Sequence, residues 1–228
     1  MPGWQIGYAS ACRAEKRGST PFPGLILRAI CPFGMTMDTK SKNTSDLIRI
    51  RLSKKSDLRK YCSLLQESIE KAYTNPKVGY TKDLFSNKVF SSEGMQKWMK
   101  SNLYPKPKKK TWLAFLGPRM VGAITVADEG NKREFRALYV ATDLQGRGIG
   151  KQLLGRALGV SKGKDIILTM YPHNLKTLEI YRKWGFRNYG KPGYHHWSAW
   201  PDYVKMKYMR MLLTNGNAVK LRKHLLNK

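Results

Sequence analysis

The chain has 228 residues, with 43 Lys or Arg against 15 Asp or Glu, for a formal net charge of +28 at pH 7. This length suits one domain with appendages, and 41% hydrophobic residues are enough for a core. No apolar run approaches the roughly 20 residues of a membrane span, and Leu25 to Phe33, interrupted by Arg28 and Pro32, fits a signal peptide poorly. Cys12, Cys31 and Cys62 are odd in number and lack metal or redox spacing, so a reducing cytoplasm is the simplest setting.

Residues 1–45 show no sustained period and are rich in Gly, Pro, Ser, Thr and Lys, the composition of a disordered or loosely attached extension. Met35 or Met37 near its end is the expected true start, with the residues before it an over-extended reading frame. A domain is expected over 46–213. Alternation of Ile48, Ile50 and Leu52 with Arg49 and Arg51 predicts a strand, and Ser56-Asp57 caps a helix running to Tyr73 on the stripe Leu58, Tyr61, Cys62, Leu65, Ile69 and Ala72. Cys62 on that stripe reads as a small core residue. Phe85 to Phe90 has no clear period. Ser92-Glu93 opens a second amphipathic helix with Met95, Trp98, Met99 and Leu103 on one side.

The proline-broken run Tyr104 to Lys110 reads as a solvated basic connector. Thr111 to Leu116 and Met120 to Ala127 are strands joined by the turn Gly117-Pro118-Arg119, and Asp128 to Asn131 turns the chain into a third strand, Glu134 to Val140. After a helix to Val160 come a buried strand, Asp165 to Met170, and a helix, Asn174 to Lys183, ended by Gly185. Phe186 to Tyr189 and Val204 to Leu212 complete the sheet around an aromatic loop, Gly190 to Pro201. His195-His196 in that loop lacks a third ligand at useful spacing, so no metal site is expected. Residues 214–228 are a short basic helix or a tail.

The chain is organised around Leu138 to Lys151, where a strand gives way to the turn Gln145-Gly146-Arg147-Gly148-Ile149-Gly150 and then to a helix with Leu153, Leu154, Ala157 and Leu158 on one face. Amides at such a helix start lack intrahelical partners and lie at the positive end of the dipole, and glycine lets an anion approach them closely. The turn fits neither the phosphate loop that ends in Gly-Lys-Ser/Thr nor the dinucleotide fingerprint. It resembles the acetyl-CoA signature of the GNAT superfamily of N-acetyltransferases, Arg/Gln-x-x-Gly-x-Gly/Ala, through Gln145, Gly148 and Gly150. Downstream, Asn174, Tyr181 and Gly185-Phe186 are similar to that family's second signature.

The resemblance implies an α/β fold: a mixed, mostly antiparallel sheet of about seven strands, splayed between the fourth and fifth, with helices on both faces. It implies acetyl-CoA as donor, with its pantetheine arm added to the edge at Leu138, Tyr139 and Val140 and its phosphates at Gln145, Gly146, Arg147, Gly148, Ile149, Gly150 and Lys151; Lys183 suits the same phosphates. Asn174 would hold the arm, and the amide of Val140 or a near neighbour would face the thioester carbonyl. Tyr181 matches the family's general acid; outside this motif it would read as core. Glu134, eleven residues before Gln145, stands where the histone-modifying branch places its base, and strand period two puts it on the Leu138 face. The other reading of Glu134 is a solvent-facing strand-end carboxylate, and Glu129 is the reserve base.

The segment between the first two helices forms a wall of the acceptor pocket in this family, which makes Tyr80, Phe85, Phe90 and Trp98 candidates for that wall, with core packing as the other option. The Gly190 to Pro201 loop is a further candidate. Direct transfer to a primary amine of a small molecule, a protein or an RNA-linked acceptor is the expected reaction. Lys and Arg recur from Arg49 to Lys228, so the folded body itself presents a positive field. That field is either a solvated surface or a contact for nucleic acid or an acidic protein. The alternative from a different class is a non-catalytic nucleic-acid- or ribosome-binding protein on the same fold. No membrane partner is expected, and the oligomeric state is open, with a homodimer among the options.

Overall fold

The computed structural model describes residues 47–161 and 163–226. The extension, the alternative starts at Met35 and Met37, and Cys12 and Cys31 lie outside them. Eight strands form the sheet: β1 (Ile48–Leu52), β2 (Lys109–Leu116), β3 (Arg119–Glu129), β4 (Lys132–Val140), β5 (Asp165–Met170), β6 (Arg187–Asn188), β7 (Gly193–His195) and β8 (Met206–Leu213). Their order is β1-β2-β3-β4-β5-β8-β6, with β7 also paired to β8. Only β4 and β5 run parallel; the other pairs are antiparallel. A parallel pair needs a crossover, and helix α4 (Ile149–Val160) supplies it.

The two faces of the sheet are sorted by its side-chain alternation. Helix α1 (Leu58–Tyr73) packs on β3 and β4, burying Tyr61, Leu64, Leu65, Ile69 and Tyr73. Leu64 replaces Cys62 on the expected stripe; Cys62 is a free, half-buried thiol at the core margin, its pKa pushed up by burial. The short α2 (Asn87–Ser91) and α3 (Glu93–Leu103) extend this layer. The stretch Phe85 to Phe90, without a period in sequence, is thus a turn and a single helical step, with Phe85 and Phe90 buried. Helix α4 covers the other face, where it touches β2, β3 and β4. Helix α5 (Leu175–Lys183) follows β5, and the C-terminal residues form α6 (Asn215–Leu226), which packs on α4 and β5.

Asp57 fixes the entry to α1. Its carboxylate accepts from the Lys54 amide at 2.7 Å and from both Arg51 terminal nitrogens at 2.8 and 2.6 Å. The Arg51 guanidinium therefore holds the carboxyl below the usual range.

Candidate active site

Strands β4 and β5 pair only from Lys132–Asp165 to Phe135–Leu168. Beyond Phe135, β4 has no β5 partner while β5 continues along β8 to Met170, so the sheet opens there. A bulge sits at the same point. Ala137 has φ 51°, and the β3 register passes from Tyr139 opposite Ala123 to Arg136 opposite Thr125, leaving one extra residue on β4. The Ala141 amide donates to the Val121 carbonyl on β3 at 2.9 Å. Alternation therefore aims the neighbouring Val140 N–H at the opened edge.

The chain then passes through the glycine turn. Gly146 and Gly148 have φ 81° and 80°, left-handed values that strain any residue with a Cβ. At Gly148 a Cβ would meet nothing within 4 Å, so the turn is open on its outer side. Gln145 lies behind it and donates from Nε2 to the Val140 carbonyl at 3.3 Å. Helix α4 starts at Ile149, so the amides of Ile149, Gly150 and Lys151 point out without intrahelical acceptors. An anion at this mouth would meet the positive end of a 12-residue helix.

Asn174 caps α5: its Oδ1 accepts from the Thr177 amide at 3.2 Å. Tyr181 projects from the buried side of α5, only 2% exposed, with its ring edge-on to Trp184 and Phe186 at 5.7 and 5.5 Å.

Glu134 departs from the expectation in two respects. It is 1% exposed, so it is no solvent-facing carboxylate. The Ala137 bulge reverses strand parity: Arg136 lies opposite Thr125 and Tyr139 opposite Ala123, so Glu134 shares the α1 face with Arg136 and Tyr139 rather than with Leu138. The Arg136 guanidinium binds Glu134 and reaches Glu129 Oε1 at 2.8 Å, which joins both candidate carboxylates to one cation. Burial raises the Glu134 pKa, against the pull of Arg136 and, more weakly, Arg210.

On the same face, six rings from four separate segments meet. Tyr171, just past β5, lies 4.8 Å from Tyr73 and 6.1 Å from His173, and the His173 ring lies 4.8 Å from Tyr80. The Tyr171 hydroxyl is 3.1 Å from His195 Nδ1, and His195 stacks on Tyr208 at 4.2 Å. Gly193 allows this stack, since a Cβ there would fall 2.5 Å from the Tyr208 hydroxyl. Burial, then Arg210, lowers the His195 pKa to about 4, so the ring is neutral near pH 7. Among the described residues no cluster of His, Cys, Asp and Glu could hold a metal.

Of the expected pocket wall, Tyr80 joins this group and Phe85 borders it, 6.4 Å from Tyr73. Phe85 and Phe90 pack edge-on against Trp197, and Trp98 is buried in the core. The aromatic loop divides likewise: Trp197 and Trp200 stack at 4.5 Å inside the fold, Trp200 donating to the Leu84 carbonyl at 2.7 Å, while His195 packs among the tyrosines. Sequence reasoning missed Tyr73, Tyr171, His173 and Tyr208. Tyr171 and His173 flag themselves only by preceding Asn174, and the other two are brought in by long-range packing.

An opened parallel pair beside a glycine turn that starts a helix is the arrangement that the resemblance to acetyltransferases implies. A family model described as an acetyltransferase (GNAT) domain matches residues 69–208, and the chain belongs to that family. Solved structures agree in fold. The PaiA N-acetyltransferase of Thermoplasma acidophilum, in complex with coenzyme A, is 22% identical over 73% of this chain and 98% of its own, with a TM-score of 0.51. An acetyltransferase of Thermus thermophilus is 19% identical over 73% and 97%, with a TM-score of 0.50. A chimera of the Vibrio cholerae spermidine N-acetyltransferase SpeG and hSSAT is 15% identical over 76% and 98%, also with a TM-score of 0.50. No curated protein matches this chain by sequence.

Proposed function

We propose that this enzyme moves the acetyl group of acetyl-CoA directly to a primary amine of a small molecule, a protein or an RNA-linked acceptor. The observation that carries the reading is the β4 edge at Leu138, Tyr139 and Val140, past the last residue that β5 pairs, which leads straight into a glycine turn open at Gly148. A pantetheine arm has amides that can pair with such an edge. The amides from Gly146 to Lys151, with the side chains of Arg147 and Lys151, would take the phosphates. Asn174, whose Oδ1 caps α5, is the side chain assigned to the arm.

Val140 N–H, aimed at the opened edge, is placed to donate to the thioester oxygen as charge builds there, a contribution of about 3 kcal/mol in other acyl transfers. The acceptor nitrogen bonds to the carbonyl carbon and the carbon–sulfur bond breaks. Tyr181 returns a proton to the departing sulfur. Glu134 accepts the proton of the amine through water, since it lies buried and several residues from Val140 along β4. Its raised pKa suits that task better than an ordinary carboxylate would. Polycationic acceptors are disfavoured: Glu134 is already matched by Arg136, and Arg210 lies within its field.

The test is calorimetric titration with acetyl-CoA of the intact protein and of Gly148→Glu, followed by an acceptor screen that sets RNA-linked and protein amines beside neutral metabolites. Binding by the wild type alone supports the reading. No binding by either folded protein refutes it.

A further inference from the structure

We propose that a trough along the outer flank of α4, away from β5, binds a single strand of nucleic acid. A cavity of about 660 Å³ opens there, with Ile48, Ile50 and Trp112 of the sheet on one side and Arg156, Arg222 and Leu225 on the other. A second cavity of about 230 Å³, lined by Lys108, Lys110, Arg133 and Asp128, adjoins it, because Val160 lines both. Together they follow α4 from Lys151 to Val160. The 12 residues of this helix span about 18 Å. That length accommodates about five stacked nucleotides of one strand.

The trough is apolar at its floor and cationic at its rim. Gly155 and Gly159, one turn apart, keep the helix flank free of side chains; no atom lies within 4 Å of a Cβ at Gly155, and the Arg222 guanidinium lies 3.8 Å from one at Gly159. Lys108, Lys110, Arg156 and Arg222 have no carboxylate at ion-pair distance among the described residues. The only carboxylate in either lining, Asp128, is already held by Arg133 and by Lys164. Cations that track a groove whose floor offers an aromatic and aliphatic surface match the chemistry of single-stranded nucleic acid, phosphates at the rim and bases below. Residues 1–46 carry six basic and three acidic residues and so do not complement it by charge. This surface shares Lys151 at one end with the proposed phosphate site but does not include the opened β4 edge, and its occupancy does not depend on which amine is acetylated.

Fluorescence anisotropy of the full chain with a labelled 12-nucleotide oligouridylate, over a range of salt, tests the assignment. The variant Arg156→Ala/Arg222→Ala is compared with Lys97→Ala/Lys100→Ala, which removes two exposed charges from α3 on the opposite face. Each phosphate contact on a single strand contributes about 0.7 to the slope of log K against log salt. Loss of two contacts should flatten the slope by about 1.4 and weaken binding roughly 25-fold at about 0.1 M salt, relative to 1 M. The α3 variant should stay within about twofold of wild type, and both should bind acetyl-CoA as wild type does, which shows that they are folded. The matching oligodeoxyuridylate separates RNA from DNA, and binding of either supports the trough. Equal losses in the two variants, full displacement by acetyl-CoA, or tighter binding of a 12-residue oligoglutamate would each overturn the proposal, by pointing to diffuse charge, the cofactor site or an acidic peptide.

Discussion

Gly122 on β3 is where sheet packing and the turn proposed to hold the cofactor meet, and Gly122→Ala measures how tightly they are joined. A Cβ at this position would stand 2.8 Å from Leu153 Cδ1, 3.2 Å from Ile149 Cγ2 and 3.2 Å from the Tyr139 carbonyl oxygen. Leu153 and Ile149 are 0% and 1% exposed, so neither has free volume into which to retreat. The added methyl must push the first turn of α4 away from the sheet. Overpacking of this kind costs about 1–3 kcal/mol. The smaller entropy of the unfolded chain with Ala offsets about 0.4–1 kcal/mol. A net loss of about 1–2 kcal/mol lowers Tm by roughly 2–8 °C in a domain of this size. Because Ile149 begins the helix that follows Gly148, acetyl-CoA affinity should fall with it. Differential scanning calorimetry gives the first quantity and titration calorimetry the second. Truncation of the obstructing methyl in Gly122→Ala/Leu153→Val should cost less than the sum of the two single changes. An unchanged or raised Tm in Gly122→Ala would refute the reasoning.

Gly155→Ala should do the opposite. This glycine lies inside α4 with no atom within 4 Å of a Cβ, so Ala should raise stability by about 0.5–1 kcal/mol, seen as a higher urea midpoint at constant m-value. Acid should destabilise the fold through His195. The half-buried ring binds its proton only near pH 4, whereas the unfolded chain binds it near the ordinary value of about 6.5, so stability falls as pH drops through that window. The loss reaches roughly 3 kcal/mol at most. Denaturation midpoints between about pH 7 and 4 report it, and His195→Phe should flatten that profile. Tyr181→Phe should lower kcat by roughly 100-fold or more while acetyl-CoA binding is retained, as expected for loss of a general acid; an unchanged kcat in the acetyl-transfer assay would assign Tyr181 to the core alone.

Local signals in the sequence carried the elements that bear the fold. Val121 to Val126 is a continuous apolar run and is buried on both faces, and the α4 and α5 stripes announce their period and are buried as that period demands. The same local signals placed the glycine turn against a helix start. What could not be read locally is the company a side chain keeps across the fold. Phe85 and Trp98 looked as suited to a pocket wall as Tyr80 did, and only the tertiary contacts show that Trp197 and Trp200 fill the space beside Phe85. Tyr171, just past β5, and Tyr208 on the neighbouring β8 are far apart in sequence, so nothing local marks them as partners of His195. Cys62 and Leu64 differ by half a helical turn, a rotation of the stripe that periodicity alone does not resolve.

The sharpest lesson lies in Ala137. A strand read by period two assigns Glu134, Arg136 and Leu138 to one face, and a single left-handed residue undoes that assignment for everything beyond it. Alanine carries no mark of this; Gly or Asn would have suggested it. Yet the bulge coincides with the point where β5 stops pairing, so the break in parity and the opening of the sheet are joined. It sends Tyr139 to the ring-bearing face beside Arg136, and Val140 and Leu138 to the α4 face. The backbone between them is left with an N–H aimed at the gap. A regular β4 would continue the parity of Glu134 into the gap without that rearrangement. The strained residue thus sits where the acetyl donor is proposed to lie, as expected when strain is held by surrounding structure for function rather than for stability.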